Sequence, residues 1–148
     1  MIYCDTSFLL PLYVARDVFH QAASAQAAQL VDGIPYTLLG ELELINGLRR
    51  LLAGKIITPA EYDRAFRQID EDVRDGILRH ASLHQGEHFQ KARELSKKFT
   101  PALQARSLDI LHVAAALLLE ARHFYSFDAK QRLLAEQAKL TLNKLPLA

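Results

Sequence analysis

The sequence contains a single cysteine, Cys4, among its 148 residues, and this scarcity excludes two kinds of small protein. One cysteine cannot form an internal disulfide, and it cannot supply the paired cysteines of a structural zinc site. Cys4 lies in the first apolar segment, where a free cysteine ordinarily packs as a small buried residue. We therefore expect neither a disulfide scaffold nor a catalytic thiol.

Long apolar runs are also missing. The most apolar stretch, Leu108 to Leu119, is interrupted by Asp109 and His112 and is too short to cross a bilayer. The amino terminus lacks a basic segment followed by a cleavable apolar one. We therefore expect a cytoplasmic protein that does not associate with membranes.

Neither sign of charge predominates, since 18 Lys and Arg residues face 17 Asp and Glu residues. The net charge of +1 predicts neither nucleic-acid binding nor its absence. The sequence has no glycine-rich phosphate loop and no nucleophile elbow, which argues against nucleoside triphosphatases and α/β-hydrolases. No segment is polar or repetitive enough for a disordered tail, so residues 1–148 are predicted to form one ordered domain.

Apolar segments and helix signals alternate along the chain. Strands are predicted at Met1–Cys4, Ile34–Thr37, Phe124–Phe127 and Leu140–Leu145. Helices are predicted at His20–Val31, Leu38–Ala53, Thr58–Asp75, Glu87–Phe99, Ser107–Ala121 and Ala129–Ala138. Thr58-Pro59-Ala60-Glu61 has the form of a capping box, Thr100-Pro101 is expected to close the helix from Glu87, and Ser107 is expected to cap the next helix. A helix directly after Asp5 is complicated by Pro11, and the segment Leu78–Gln85 is ambiguous. The alternation predicts an α/β fold with three layers, α/β/α, around a mostly parallel central sheet.

Four acidic residues occupy positions where such a fold gathers functional side chains. Asp5 and Asp128 follow predicted strands, while Glu43 and Asp109 lie early in predicted helices. Carboxylates gathered at one place repel one another unless protons or cations intervene, and a hard divalent cation prefers oxygen ligands. Such acids suffice for one or two Mg²⁺ ions, which would stabilise the attacking and leaving oxygens of a displacement at phosphorus.

Each acid also has an ordinary structural explanation. Asp5 and Asp128 could cap the helices that follow them, and Asp109 could interact with the dipole of its own helix. Glu41 competes with Glu43, because the two lie roughly 200° apart around a helix and only one can face a shared site. We favour Glu43, since Asn46 lies one turn later on the same side and could orient a carboxylate.

The histidines and basic residues allow further roles. His112, one turn after Asp109, could support that carboxylate or pack within the apolar helix. His80, His84 and His88 have the spacing of a zinc face, but Gly86 interrupts the helix and no cysteine completes the set. Basic residues that could contact the phosphates of a nucleic acid, or could be solvated helix positions, are Arg49, Arg50, Lys91, Arg93, Lys97, Lys98, Arg106, Lys130 and Arg132.

The segments Ser107–Ala116 and Phe124–Gln131 closely resemble the PIN-domain family, in particular the VapC-type toxins of bacterial toxin–antitoxin pairs. Asp5-Thr6-Ser7 resembles the opening motif of that family. Glu43–Leu48 resembles its Glu-x-x-Asn-Ala-Leu helix, with Gly47 in place of alanine, and this match also favours Glu43 over Glu41. The resemblance extends over the whole chain.

The resemblance implies a magnesium-dependent endoribonuclease that acts as the toxin of a toxin–antitoxin pair. Its catalytic, metal-binding residues would be Asp5, Glu43, Asp109 and Asp128, and the hydroxyls of Thr6 and Ser126 would support them. Ser126 stands where relatives often carry threonine, which keeps the hydroxyl. The ion would be Mg²⁺ or Mn²⁺, and the partners would be an RNA substrate, a cognate antitoxin and a second copy of the chain in a homodimer.

Two other functions fit the same pattern: a housekeeping PIN nuclease for RNA processing, and a PIN-fold protein-binding module without catalysis. The presence of all four acids argues against the binding module. The RNA target remains open, because a metal–carboxylate site recognises phosphate and not the base. Asparagine in place of Asp5 or Asp109 is expected to abolish cleavage and to stabilise the metal-free protein by relieving charge repulsion.

Overall fold

Strands and helices alternate along the chain in a computed structural model that describes residues 1–147. The strands are β1 (Ile2–Cys4), β2 (Ile34–Tyr36), β3 (Leu78–His80), β4 (His123–Tyr125) and β5 (Thr141–Leu142). The helices are α1 (Thr6–Tyr13), α2 (His20–Ala27), α3 (Leu38–Ala53), α4 (Pro59–Arg74), α5 (Gln85–Leu103), α6 (Ser107–Leu118) and α7 (Ala129–Gln137). The strands pair in parallel, which confirms the predicted α/β fold.

The chain forms two compact units. The first unit comprises Met1–Asp5 and Ser82–Leu145, and the second comprises Thr6–Ala81 with residues 146–147. The first unit contains a sheet of strand order β1-β4-β5, and the second contains the pair β2-β3. The strands are thus divided between a three-stranded and a two-stranded sheet. That residues 1–148 form a single domain stays a prediction.

The core of the first unit lies where α6 meets the aromatic residues of β1 and β4. Val113 and the run Ala114–Ala116 are fully buried, and the rings of Tyr3 and Phe124 stack at 5.5 Å between centroids. Alanines allow a helix to approach its neighbours closely, so this face of α6 suits a densely packed position. The site residues of this unit therefore lie at the ends of strands and a helix that are densely packed.

The core of the second unit is built from α1, α3 and the β2–β3 pair. Phe8 of α1, Ile34 of β2 and the pair Leu44 and Leu48 of α3 are fully buried. The spacing of four residues places both leucines on one face of α3. The predicted capping box at the start of α4 is confirmed, since Thr58 and Glu61 exchange hydrogen bonds of 3.1 and 2.6 Å.

Several predicted boundaries differ from the structure for identifiable reasons. Helix α5 continues through Pro101, expected to end it, and stops at Gln104, whose φ of 51° is left-handed. Helix α2 ends at Ala27 and not at Val31, because the next turn has the hydrogen-bond pattern of a 3₁₀ helix. The N–H groups of Gln29 and Leu30 donate to the carbonyls of Gln26 and Ala27, three residues earlier. Among residues 1–147, no helix is long and apolar enough to span a membrane.

Two further differences lie beside the candidate site. Strand β4 ends at Tyr125 and not at Phe127, because the Ser126 N–H bonds to the Asn143 side chain at 2.9 Å instead of a strand. Ser107 was expected to cap α6, but the N-cap is Arg106, which makes no side-chain cap hydrogen bond. Asn143, which bonds to Ser126, and Arg106, which is the N-cap, both belong to the site described next.

Candidate active site

Asp5 lies at the carboxyl end of β1, and Ser126 lies at the carboxyl end of the adjacent strand β4. The Asp5 N–H donates to the Tyr125 carbonyl at 3.1 Å, which extends the parallel ladder by one residue. The Ser126 hydroxyl donates to Asp5 Oδ2 at 2.7 Å. Asp5 is 4% exposed, so a hydrogen bond to a hydroxyl satisfies part of a buried carboxylate. The parallel register thus places an acid and a hydroxyl side by side.

The Ser126 hydroxyl also holds the turn that leads to Asp128. It accepts a hydrogen bond from the Asp128 N–H at 3.1 Å while donating to Asp5. Asp128 then caps α7, because its Oδ1 accepts from the Gln131 N–H at 2.9 Å. The expected cap is confirmed, and one carboxylate oxygen of Asp128 is committed to it. Its other oxygen, Oδ2, faces a cation described below.

Asn143 and Arg132 fix this turn from the other side. Asn143 Oδ1 accepts from the Ser126 N–H at 2.9 Å and from Arg132 Nη1 at 2.7 Å. Arg132 also donates to the carbonyls of Ser126 and Asn143, at 2.8 and 3.0 Å. Burial lowers the pKa of the Arg132 guanidinium, while Glu136 and Asp5 act against that shift. Arg132, considered from sequence as an RNA contact, therefore serves to hold the turn, and Asn143 was not anticipated.

Asp109 lies in the first turn of α6 and is paired with Arg106. Arg106 Nε donates to Asp109 Oδ2 at 2.8 Å and its Nη2 donates to Oδ1 at 3.3 Å, so the contact is bidentate. Gln131 holds the backbone of this turn, since its side-chain amide donates to the Asp109 carbonyl at 3.1 Å. The Asp109 side chain is 15% exposed, against 63% for Arg106. The carboxylate is therefore approached by the guanidinium from the solvent side.

The same guanidinium reaches a second acid. Arg106 Nη2 lies 3.6 Å from Asp128 Oδ2, so one nitrogen atom stands between the carboxylates of Asp109 and Asp128. Two predicted metal ligands are therefore close enough to share one cation. Among residues 1–147 no three His, Cys, Asp or Glu side chains are grouped to hold a metal ion. The oxygen donors suit Mg²⁺ or Mn²⁺, which take one or two carboxylates and complete their coordination with water and phosphate oxygens.

Glu43 belongs to the second unit, where Thr6 holds it. The Thr6 hydroxyl donates to Glu43 Oε1 at 3.1 Å. Glu41 lines a different cavity with Tyr36 and Asp70, and burial together with these two carboxylates raises the pKa of the Tyr36 phenol to about 12. The two glutamates therefore have separate surroundings, as their helical spacing predicts. Asn46, the expected support for Glu43, is exposed on α3.

The remaining predicted participants have structural contacts. His112 is buried, with its Nδ1 at 2.8 Å from the Tyr3 hydroxyl and its ring edge-on to Tyr3, as in the packing interpretation. The zinc interpretation of the other histidines fails, since His80 lies in β3 and α5 begins only after His84. Burial, and secondarily the Asp5 carboxylate, raises the pKa of the Cys4 thiol, which keeps it protonated.

The family follows from comparison with known proteins. The sequence profile of the PIN domain matches residues 2–137, a range that contains all four acids. The chain belongs to the PIN domain family. No curated protein matches the chain.

Solved structures share the fold of this chain over nearly its whole length. Mycobacterium tuberculosis VapC20, described as a sarcin–ricin loop cleaving toxin, has a TM-score of 0.68 and 19% identity, covering 90% of this chain and 94% of its own. VapBC-1 from nontypeable Haemophilus influenzae has a TM-score of 0.64 and 16% identity, covering 97% of each chain. FitAcB from Neisseria gonorrhoeae has a TM-score of 0.60 and 15% identity, with 97% of each chain covered.

Proposed function

We propose that this PIN domain is a magnesium- or manganese-dependent endoribonuclease that acts as the toxin of a toxin–antitoxin pair. The observation that carries the proposal is the shared position of Asp109 and Asp128 on either side of one cation, next to the turn in which Ser126 holds Asp5. Structural acids do not need to converge on one cation. Metal-binding acids must do so.

The chain's own residues would have separate tasks in this reaction. A divalent cation would supply a Lewis acid that activates water and stabilises charge on the phosphodiester. Asp109 and Asp128 would hold it, and Asp5 would join them, oriented by Ser126. Glu43, oriented by Thr6, completes the proposed set; its support is the hydrogen bond from Thr6 and the separate surroundings of Glu41.

The toxin assignment rests on resemblance. The motifs around Asp5, Glu43, Asp109 and Asp128 resemble VapC-type toxins, and a solved structure with this fold is described as a toxin that cleaves the sarcin–ricin loop. A cognate antitoxin and a homodimer are part of the same proposal. Expression of the chain without its partner should arrest growth, and light scattering of the purified protein should give the mass of a dimer. A housekeeping nuclease should not arrest growth.

The decisive experiment compares RNA cleavage by the wild-type protein and by Asp109→Asn. Purified, partner-free protein is incubated with total cellular RNA in the presence of Mg²⁺, Mn²⁺ or EDTA. We expect discrete cuts that require the metal and that decrease at least about a hundredfold in the variant, since Asp109→Asn removes a charge that acts on the reacting groups.

A matched control separates this effect from a general loss of charge. Asp63→Asn changes the same residue type at an exposed position of α4 and should cleave like the wild type. Circular dichroism verifies that each protein is folded. Full activity in Asp109→Asn removes the assigned site. Absence of metal-dependent cleavage by the folded wild type favours the non-catalytic binding module.

A further inference from the structure

Arg106 makes contacts that a simple helix-end arginine does not need. Its guanidinium forms a bidentate pair with Asp109 and also reaches Asp128 with the same Nη2 nitrogen. Both acids belong to the proposed metal site. Arg106 therefore contacts two carboxylates that the proposed function assigns to a divalent cation.

The guanidinium and a metal ion would compete for these oxygens, because both are cations that bind the same carboxylates. A divalent cation within coordination distance of the two carboxylates would lie beside a positive guanidinium, and their repulsion is strong at such short range. The divalent ion carries twice the charge and binds at shorter distances. Metal binding should therefore release Arg106 from Asp109 and Asp128.

Arg106 is placed so that it can be released without disrupting the fold. Its side chain is 63% exposed, and its backbone lies at the N-cap of α6, just outside the helix. No core packing depends on an exposed side chain at this position. The released guanidinium would remain beside the acids, because its backbone does not move with it.

We propose that Arg106 is a phosphate-binding residue of this site, held by Asp109 and Asp128 until a divalent cation takes their carboxylates. The inference rests on the proposed nuclease function. An RNA phosphodiester that approaches the metal would meet the guanidinium that the two acids have released, and a guanidinium binds phosphate oxygens in a bidentate manner. Metal binding and RNA binding are thereby coupled through one side chain.

The ordinary alternative is an exposed ion pair that only orders the acids. Pairs of this kind contribute little to stability, and their removal leaves the carboxylates less well placed. The two explanations predict opposite changes in metal affinity. Without Arg106, a competing cation disappears in the first explanation, so metal affinity rises. In the second, a positioning contact disappears, so metal affinity is unchanged or falls.

The first measurement is Mn²⁺ affinity in the absence of RNA, from the free-ion signal in electron paramagnetic resonance. Full-length wild type is compared with Arg106→Ala, Arg106→Lys and the control Arg93→Ala, an exposed arginine on α5. We expect Arg106→Ala to bind Mn²⁺ roughly tenfold more tightly, since hydrogen bonds to charged groups contribute on that scale. Arg93→Ala should match the wild type. Equal or weaker binding by Arg106→Ala overturns the proposal.

The second measurement is RNA affinity as a function of salt, with a 12-residue oligouridylate as the probe. Phosphate contacts do not depend on sequence, so this probe serves whatever the natural target is. Loss of one phosphate contact reduces the salt slope by about 1. We expect that reduction for Arg106→Ala with Mn²⁺ present and no difference from wild type in EDTA, where Arg106 is held by the acids. An unchanged slope in Mn²⁺ overturns the proposal.

The two proposals fail in distinguishable ways. If the folded wild type binds no Mn²⁺ and cleaves no RNA, the nuclease function fails and the role of Arg106 fails with it. If the wild type binds Mn²⁺ and cleaves RNA but Arg106→Ala leaves metal affinity and salt slope unchanged, only the role of Arg106 fails. Arg106→Lys keeps the charge without the planar fork, so partial recovery of the salt slope supports a direct phosphate contact.

Discussion

Ser126 is the residue on which the geometry of the acids depends most directly. Its hydroxyl donates to Asp5 and accepts from the Asp128 N–H, and it is fully buried. We expect Ser126→Ala to destabilise the fold by about 1–3 kcal/mol, because it leaves a buried partner unsatisfied. Urea unfolding measures this change. Cleavage activity should fall as well, since Asp5 loses a contact that orients it.

The matched control for this substitution is Ser82→Ala, at an exposed position. That variant should retain both the stability and the activity of the wild type. A Ser126→Ala protein with unchanged stability and activity would show that the turn is held by Asn143 and Arg132 alone.

The Cys4 thiol should be unreactive in the folded protein. Burial raises its pKa, and the neighbouring Asp5 carboxylate raises it further, so the thiol stays protonated where a free cysteine begins to ionise. Because the pKa is higher in the folded protein, the protonated thiol contributes to folding stability at pH values below the ordinary thiol pKa. That contribution is lost as the pH rises through the pKa of the thiol in the folded protein. Titration with a thiol reagent at pH 8 should give no label until denaturant is added. Rapid labelling of native protein would contradict this burial.

Arg106 also changes an expectation drawn from the sequence about Asp109. The sequence predicted that Asp109→Asn would stabilise the metal-free protein by relieving charge repulsion, because no ion-pair partner of Asp109 was known. The structure shows that the Asp109 carboxylate is already neutralised by a bidentate arginine. This pair offsets repulsion on Asp109, and the stabilisation by Asp109→Asn stays a prediction. Sequence alone could not reveal this, because Arg106 is one of many basic residues and nothing in its pattern sets it apart.

At the scale of the element, α7 allows stability and activity to be separated at one residue. Asp128 caps α7 through Oδ1 and faces Arg106 through Oδ2. Asparagine caps helices as well as aspartate does, whereas alanine does not. We expect Asp128→Asn to keep the stability of the wild type and lose cleavage, and Asp128→Ala to lose cleavage and about 1 kcal/mol of stability.

A cap elsewhere in the chain provides the control for Asp128. Thr58 caps α4 by accepting from the Glu61 N–H at 3.1 Å. Thr58→Ala should cost a similar amount of unfolding free energy while RNA cleavage is unchanged. If Asp128→Asn cleaves RNA like the wild type, Asp128 acts only as a cap.

The elements also show what local sequence can and cannot predict. The capping residues Thr58 and Asp128 are confirmed, because a cap depends only on the residues within one turn. The end of β4 was predicted two residues too late, since it is decided by Asn143, 17 positions further along. Pro101 did not end α5, because the stop lies in the left-handed backbone of Gln104. Contacts between distant segments are the information that local patterns lack.

At the scale of the whole molecule, metal binding should raise stability by mass action. An ion that binds only the folded protein stabilises it by about 2.7 kcal/mol when present at a hundred times its dissociation constant. We expect Mn²⁺ to shift the urea midpoint of the wild type and of Asp63→Asn upward. Asp109→Asn should show a much smaller shift. Equal shifts in all three proteins would place the ion outside the assigned site.

The arrangement of the first unit has a consequence for the order in which the protein is made. Asp5 is synthesised 121 residues before Ser126, whose hydroxyl holds it, and Asn143 comes later still. Strand β1 has no partner strand until β4 exists. A growing chain therefore cannot form these contacts to the acids until Ser126 and Asn143 have been synthesised. Products of premature termination before Asn143 should therefore lack this arrangement of the acids.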